Sequence, residues 1–119
     1  MFARLMPALT LATAFAAPAN AHTKLITANP APNSVVRAAP QRIVITFNEP
    51  VLARFVTIGV TGPGGKLHVM SAEVDRRNKA RVSAVVHGGG KAGIYKVDWS
   101  AAGSDMHKMA GSFSFTVRQ

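Results

Sequence analysis

The run Gly93-Ile94-Tyr95-Lys96-Val97-Asp98-Trp99 sets Tyr95, Val97 and Trp99 at every second position, with Ile94, Lys96 and Asp98 between them. Side chains of an extended chain point alternately to two faces, so this spacing gathers two rings and a valine on one side. Gly111-Ser112-Phe113-Ser114-Phe115-Thr116-Val117 repeats the pattern, with Phe113, Phe115 and Val117 aligned. Upstream, Gln41 to Phe47 alternates Ile43, Ile45 and Phe47 against Arg42, Val44 and Thr46. Phe47, Trp99, Phe113 and Phe115 are therefore core candidates. Tyr95 is expected to bury its ring and to hydrogen-bond a loop carbonyl through its hydroxyl.

Further out, the same reading continues. Lys24-Leu25-Ile26-Thr27 opens as a short strand and ends in the turn residues Asn29-Pro30-Ala31-Pro32-Asn33. Phe55 to Thr61 is rich in β-branched residues, Gly62-Pro63-Gly64-Gly65 makes a tight turn, and Lys66 to Met70 returns as a strand. Arg81 to Val86 is another, closed by Gly88-Gly89-Gly90. No window holds a helical period over ten or more residues. About seven short strands separated by regular turns predict a sandwich or a small barrel.

The first residues are set apart from that fold. Met1-Phe2-Ala3-Arg4 carries one positive charge, Leu5 to Ala17 is nearly all apolar, and Pro18-Ala19-Asn20-Ala21 offers small residues where an Ala-x-Ala cleavage signal needs them. The apolar run is shorter than the ~20 residues a bilayer span needs. Residues 1–21 are thus expected to be a signal peptide cut after Ala21, leaving residues 22–119 as one soluble domain beginning at His22. With no cysteine, the chain offers no disulfide, no lipid-anchored cysteine and no thiolate metal ligand, and the core must hold by burial.

The chain carries 14 Lys and Arg against 5 Asp and Glu. That excess favours acidic partners or simply keeps the surface soluble. Basic residues cluster only at Arg76-Arg77-Asn78-Lys79-Ala80-Arg81, without interleaved aromatics, so a solvated loop is expected there and no nucleic-acid contact.

Four histidines fall in the expected mature chain: His22, His68, His87 and His107. Cleavage would leave His22 with a free α-amine and an imidazole on one residue, two nitrogens able to close a single chelate ring. Asp105-Met106-His107 adds a carboxylate and an imidazole two positions apart, which converge if the segment is extended. Taken alone, Asp105 also suits a loop-capping role. Nitrogen and oxygen donors of this kind suit Cu(II), although Zn(II) accepts the same groups. His68 and His87 have no carboxylate or second histidine at ligand spacing and read as surface residues. Met106 and Met109 read as loop and edge packing.

In their joint order these pieces resemble the CopC family of periplasmic copper-resistance proteins. Ala21-His22-Thr23-Lys24-Leu25 resembles the family's opening, and Ala28-Asn29-Pro30-Ala31-Pro32-Asn33 its Ser-x-Pro-Ala-x-Gly turn. Ala39-Pro40 to Phe47-Asn48-Glu49-Pro50-Val51 resembles its Ala-Pro … Phe-x-Glu-x-Val strand, and Gly93 to Trp99 its Gly-x-Tyr-x-Val-x-Trp. Ser104-Asp105-Met106-His107 with Gly111-Ser112-Phe113-Ser114-Phe115 resembles Ser-Asp-x-His-x-x-x-Gly-x-Phe-x-Phe. The resemblance implies an all-β fold, a single immunoglobulin-like (cupredoxin-like) Greek-key β-sandwich. It implies Cu(II) held by His22, Asp105 and His107 in a periplasmic monomer, and an inner-membrane copper transport protein as recipient.

Two departures stand out. Many members carry Gly between the Asp and the His and Pro after the His, where this chain has Met106 and Lys108. Members with a second, Cu(I) site use a methionine-rich loop with one histidine, of which only His68 and Met70 remain here. Soft Cu(I) wants several thioethers, so a complete site of that type is not expected.

Other classes predict different features. A copper oxygenase acting on polysaccharide would present a flat aromatic face, but the aromatics here fall at core positions. No nucleophile turn or paired carboxylates suggest an enzyme of another kind. A metal-free immunoglobulin-like interaction module would leave His22, Asp105 and His107 without a shared purpose.

Overall fold

The computed structural model describes residues 22–119 together with Ala3, Pro7 and Ala8. The expected signal peptide, residues 1–21, otherwise lies outside the described residues. Strand β1 spans Leu25–Asn29, β2 Val35–Val36, β3 Arg42–Phe47, β4 Thr57–Gly62 and β5 Gly65–Lys66. Strand β6 spans His68–Val69, β7 Glu73–Val74, β8 Arg81–His87, β9 Gly93–Ala101 and β10 Met109–Val117. A 3-10 turn at Ala53–Phe55 completes the regular structure. Among the described residues no helix is long and apolar enough to cross a membrane.

The strands form two five-stranded sheets. One runs β1-β3-β8-β6, with β7 also on β8, and the other runs β2-β10-β9-β4-β5. All pairs are antiparallel except β2 on β10. Their inner faces make one core. Ile43, Ile45, Val82 and Val97 are fully buried, joined by Phe47, Ile58, Val60, Val86, Tyr95, Phe115 and Val117. Each such side chain contributes roughly 1.5–3 kcal/mol on burial, which is how a chain without disulfides closes a sandwich. The Tyr95 and Phe115 rings stack with centroids 5.4 Å apart, and Phe47 meets Trp99 edge-on at 5.2 Å. The Tyr95 hydroxyl donates to the Lys91 carbonyl at 2.6 Å, as its position in the strand predicts.

Three details differ from the sequence reading. Trp99 and Phe113 pack against the core but stay half-buried, because each also lines a surface cleft. Phe55 belongs to the 3-10 turn and not to the strand that follows. The single strand expected over Lys66 to Met70 is two: β5 pairs with β4 in one sheet, while β6 pairs with β8 in the other. Leu67 marks the crossing, its amide donating to Val60 at 2.9 Å. Alternation reports which side chains point inward, and Leu67 and Val69 both pack on the core, but it carries no information about which sheet supplies the partner. Strands β2 and β7 are two residues each, too short to leave a period.

The basic segment is a capped turn between β7 and β8. The Asp75 carboxylate accepts from the Arg77 amide at 2.8 Å and pairs with the Arg81 guanidinium at 2.6 Å. The Arg81 hydrogen bond, helped by the Arg77 amide, holds the Asp75 carboxyl below its ordinary range.

Candidate metal centre

One end of the sandwich collects three chain segments. The first is His22-Thr23-Lys24, entering β1. The second is Asn48 to Leu52, leaving β3. The third is the Ala102 to Lys108 connection between β9 and β10. Hydrogen bonds lock the first segment to the second. The Lys24 amide donates to Asn48 Oδ1 at 2.8 Å, the Asn48 amide to the Lys24 carbonyl at 3.0 Å, and Asn48 Nδ2 to the His22 carbonyl at 3.2 Å. Thr23 is buried at 1% exposure, and its hydroxyl donates to Glu49 Oε1 at 2.8 Å.

The second segment is locked to the third by the Leu52 amide, which donates to the Ala102 carbonyl at 3.0 Å, and by contact at Gly103. A Cβ on Gly103 would run into the Glu49 carboxylate, so only glycine lets that carboxylate lie against the loop. Glu49 therefore touches both sides, Thr23 through its oxygen and Gly103 through packing. It positions the others. Sequence reading left Glu49 and Asn48 without a role; their signal was the Phe47-Asn48-Glu49-Pro50-Val51 run itself, polar residues set immediately after a buried strand.

The third segment presents the side chains. The Met106 amide donates to the Gly103 carbonyl at 3.0 Å, closing a turn, and the His107 amide donates to Asp105 Oδ1 at 3.1 Å. Met106 holds φ at +62°, in the left-handed region. Asp105 and His107 thus converge through a turn and not through the extended geometry that their spacing suggested. The carboxylate performs the loop-capping role and leaves Oδ2 free to face the imidazole, 3.9 Å from His107 Nδ1.

His22 arrives from the other side. Its ring lies 5.9 Å from that of His107, centroid to centroid, with the planes tilted by 32°. One ligand atom each from His22, Asp105 and His107 falls within 4.8 Å of the others, and all three residues are exposed. Two nitrogens and an oxygen converging at that separation match the span around a single ion after small rotamer changes.

The Lys108 ammonium lies 5.6 Å from the centre of the Phe55 ring and the Arg54 guanidinium 4.7 Å from it, so the ring attracts both charges. Beside the three ligands a cleft opens, lined by Leu25, Trp99, Met109 and Phe113. Met109 lines that cleft, as edge packing predicts, whereas Met106 is 56% exposed.

Comparison with known proteins agrees with this architecture. The family model described as "CopC domain" matches residues 25–118. Copper resistance protein C of Pseudomonas syringae pv. tomato is 34% identical over 113 residues, covering 84% of this chain and 83% of the relative. Protein YobA of Escherichia coli is 32% identical over 99 residues, covering 82% and 80%. Among solved structures, PcoC, a methionine-rich copper resistance protein from Escherichia coli, superposes with a TM-score of 0.73 at 27% identity, covering 82% of this chain and all of that one. With its sandwich, its strand motifs and a family match over nearly the whole folded region, the chain belongs to the CopC family.

Proposed function

We propose that this chain is a periplasmic Cu(II)-binding protein, and that its cargo is held by His22, Asp105 and His107. The observation that carries the reading is the convergence of those three residues, from opposite ends of the sequence, at one end of the sandwich. Cleavage after Ala21 adds the His22 α-amine as a fourth donor. Amine and imidazole on one residue close a chelate ring with little further loss of freedom, and each must shed any proton it carries to bind. Three nitrogens and a carboxylate oxygen form a tetragonal donor set, the geometry Cu(II) prefers, and Cu(II) tops the divalent affinity order. Relatives named for copper resistance support copper as the ion.

The site is exposed and on a rim, which suits a protein that sequesters copper and releases it to another. A relative named copper transport protein CutJ, from Bacillus subtilis, is 26% identical over 98 residues, and this chain spans 18% of its length. That favours handover to an inner-membrane copper transport protein as the purpose of binding. Relatives named for copper resistance and copper transport support reading the chain as a carrier and not an enzyme, and we read it as a monomer.

The test is the secreted protein. Mass spectrometry is expected to place His22 first, and Cu(II) titration with spin resonance is expected to show one tight equivalent with nitrogen hyperfine structure. His107→Ala is expected to weaken that equivalent about a hundredfold or more, since loss of even an outer partner of a ligand costs 10–100-fold. A first residue other than His22, or a tight equivalent indifferent to His107→Ala, refutes the reading.

A further inference from the structure

The basic turn between β7 and β8 and the candidate copper ligands flank the same stretch of chain, residues 47–52. On one side of it, the Ala80 carbonyl accepts from the Phe47 amide at 2.8 Å and the Lys79 carbonyl from the Val51 amide at 2.9 Å. On the other side lie residues 22–24 and 102–108, bonded to it through Asn48 and Leu52. Two groups of cations therefore meet at one end of the sandwich. Arg76, Arg77 and Lys79 stand on the turn, and Lys24, Arg54 and Lys108 stand around the ligands. All are exposed, and among the described residues none of their head groups lies within ion-pair distance of a carboxylate. The acids of this end are already engaged. Glu49 accepts from Thr23, Asp75 pairs with Arg81, and Asp105 accepts from the His107 amide.

We propose that this end of the sandwich is a docking face for an anionic phospholipid surface, turning the copper ligands toward the bilayer. For its purpose, delivery of copper to a recipient in the membrane, the inference rests on the function proposed above. The cations sit on separate chain segments and on both sides of the ligands, and each head group ends a flexible stem. A plane of mobile phosphates meets such a spread without matched geometry, whereas an acidic protein site needs a fixed carboxylate against each cation. Met106, 56% exposed on the ligand loop, offers an apolar side chain to the headgroup layer. Copper reinforces the attraction. A divalent ion that displaces the proton of the His22 amine adds about one positive charge to the face.

Lys66 and Lys91 supply the contrast. Strand β4 runs from Thr57, opposite Ser100, to Gly62, opposite Gly65, so Lys66 stands at the far end of the sandwich, where it shares a surface pocket with Lys91. Attraction to a charged surface fades within a Debye length, about 8 Å in physiological salt, so these lysines contribute little when the copper end is docked.

Cosedimentation of the metal-free secreted protein with vesicles tests the face. Binding is expected to vesicles of phosphatidylethanolamine with phosphatidylglycerol, not to phosphatidylcholine alone, and is expected to weaken as salt rises. Each cation near an anionic surface strengthens binding about fivefold, so Arg76→Gln, Arg77→Gln and Lys79→Gln together are expected to weaken it about a hundredfold. Lys66→Gln with Lys91→Gln is expected to change it less than about twofold. Glutamine keeps the backbone bonds of the turn, and unchanged unfolding midpoints will show the fold intact. Failure to bind the phosphatidylglycerol vesicles, equal losses per charge from the two ends, or equal binding to phosphatidylcholine would overturn the proposal. Capture by polyglutamate without any binding to the anionic vesicles would overturn it in favour of an acidic protein. Cu(II) titration without vesicles reads the N-terminal site separately: a chain that docks but lacks the tight copper equivalent keeps the face and loses the copper reading.

Discussion

Thr23→Val removes one hydroxyl and keeps the shape of the side chain. Thr23 is almost wholly buried, and that hydroxyl is the group donating to Glu49 Oε1 at 2.8 Å. A hydrogen bond to a charged group contributes about 1.5–3 kcal/mol, and the stranded acceptor then loses a partner it cannot fully replace. Glu49 is half-buried, so water can reach part of its carboxylate and the cost falls toward the lower end, about 1.5–2 kcal/mol in metal-free protein. The consequence for copper is separate. Without the Thr23 bond, His22 is tethered only through Asn48, and the Glu49 carboxylate is free to leave Gly103. A looser ligand pair lowers Cu(II) affinity by about tenfold, the lower range for loss of a positioning contact. Urea denaturation of metal-free Thr23→Val, Thr23→Ser and parent protein, with Cu(II) titration of each, reads both quantities. Serine keeps the hydroxyl and is expected to restore affinity. If valine loses less than about 0.5 kcal/mol and binds copper as the parent does, Glu49 is not what aligns the two halves of the site.

Other outcomes follow from single contacts. Met106→Gly is expected to stabilise the protein slightly or leave it unchanged, because relief of a left-handed φ, about 1–2 kcal/mol, outweighs glycine's extra unfolded freedom, about 0.5–1 kcal/mol; thermal unfolding checks it, and a loss above 1 kcal/mol would mean the side chain packs. Gly111→Ala would set a Cβ 2.7 Å from the Trp99 indole, so the ring must swing, at about 1–3 kcal/mol for overpacking. Trp99 is the chain's only tryptophan, and a shifted emission maximum with a lower midpoint reports that movement. Asp75 has its carboxyl depressed by Arg81, so its stabilising share is complete above its unfolded value of 3.8 and is lost as pH falls through the lower folded value. Asp75→Asn is expected to lower stability by a constant amount above about pH 4 and to flatten the acid limb below it, where the parent loses the same share; a variant as stable as the parent at neutral pH contradicts the assignment.

Much of the sandwich could be read from residue order. Ile43, Ile45 and Phe47 repeat every second residue, as do Tyr95 with Val97 and Phe115 with Val117, and the period of a strand is a property of the backbone that needs no partner. The three candidate ligands were legible as well, His22 through the cleavage signal and Asp105 with His107 through the CopC-like motif. What failed was geometry reasoned from spacing. Asp105 and His107 meet because Met106 turns the chain through a positive φ, a conformation that a methionine gives no reason to expect.

Sequence alone determined the class of fold, the faces of its long strands and the residue types available to a metal, since each is fixed by local covalent geometry and side-chain chemistry. Only the tertiary structure decided which of those residues stand together: His22 against His107, Glu49 between Thr23 and Gly103, and His68 across from His87. Those meetings depend on which strands pair and in what register, and register is selected by the core as a whole, through the burial of many side chains at once.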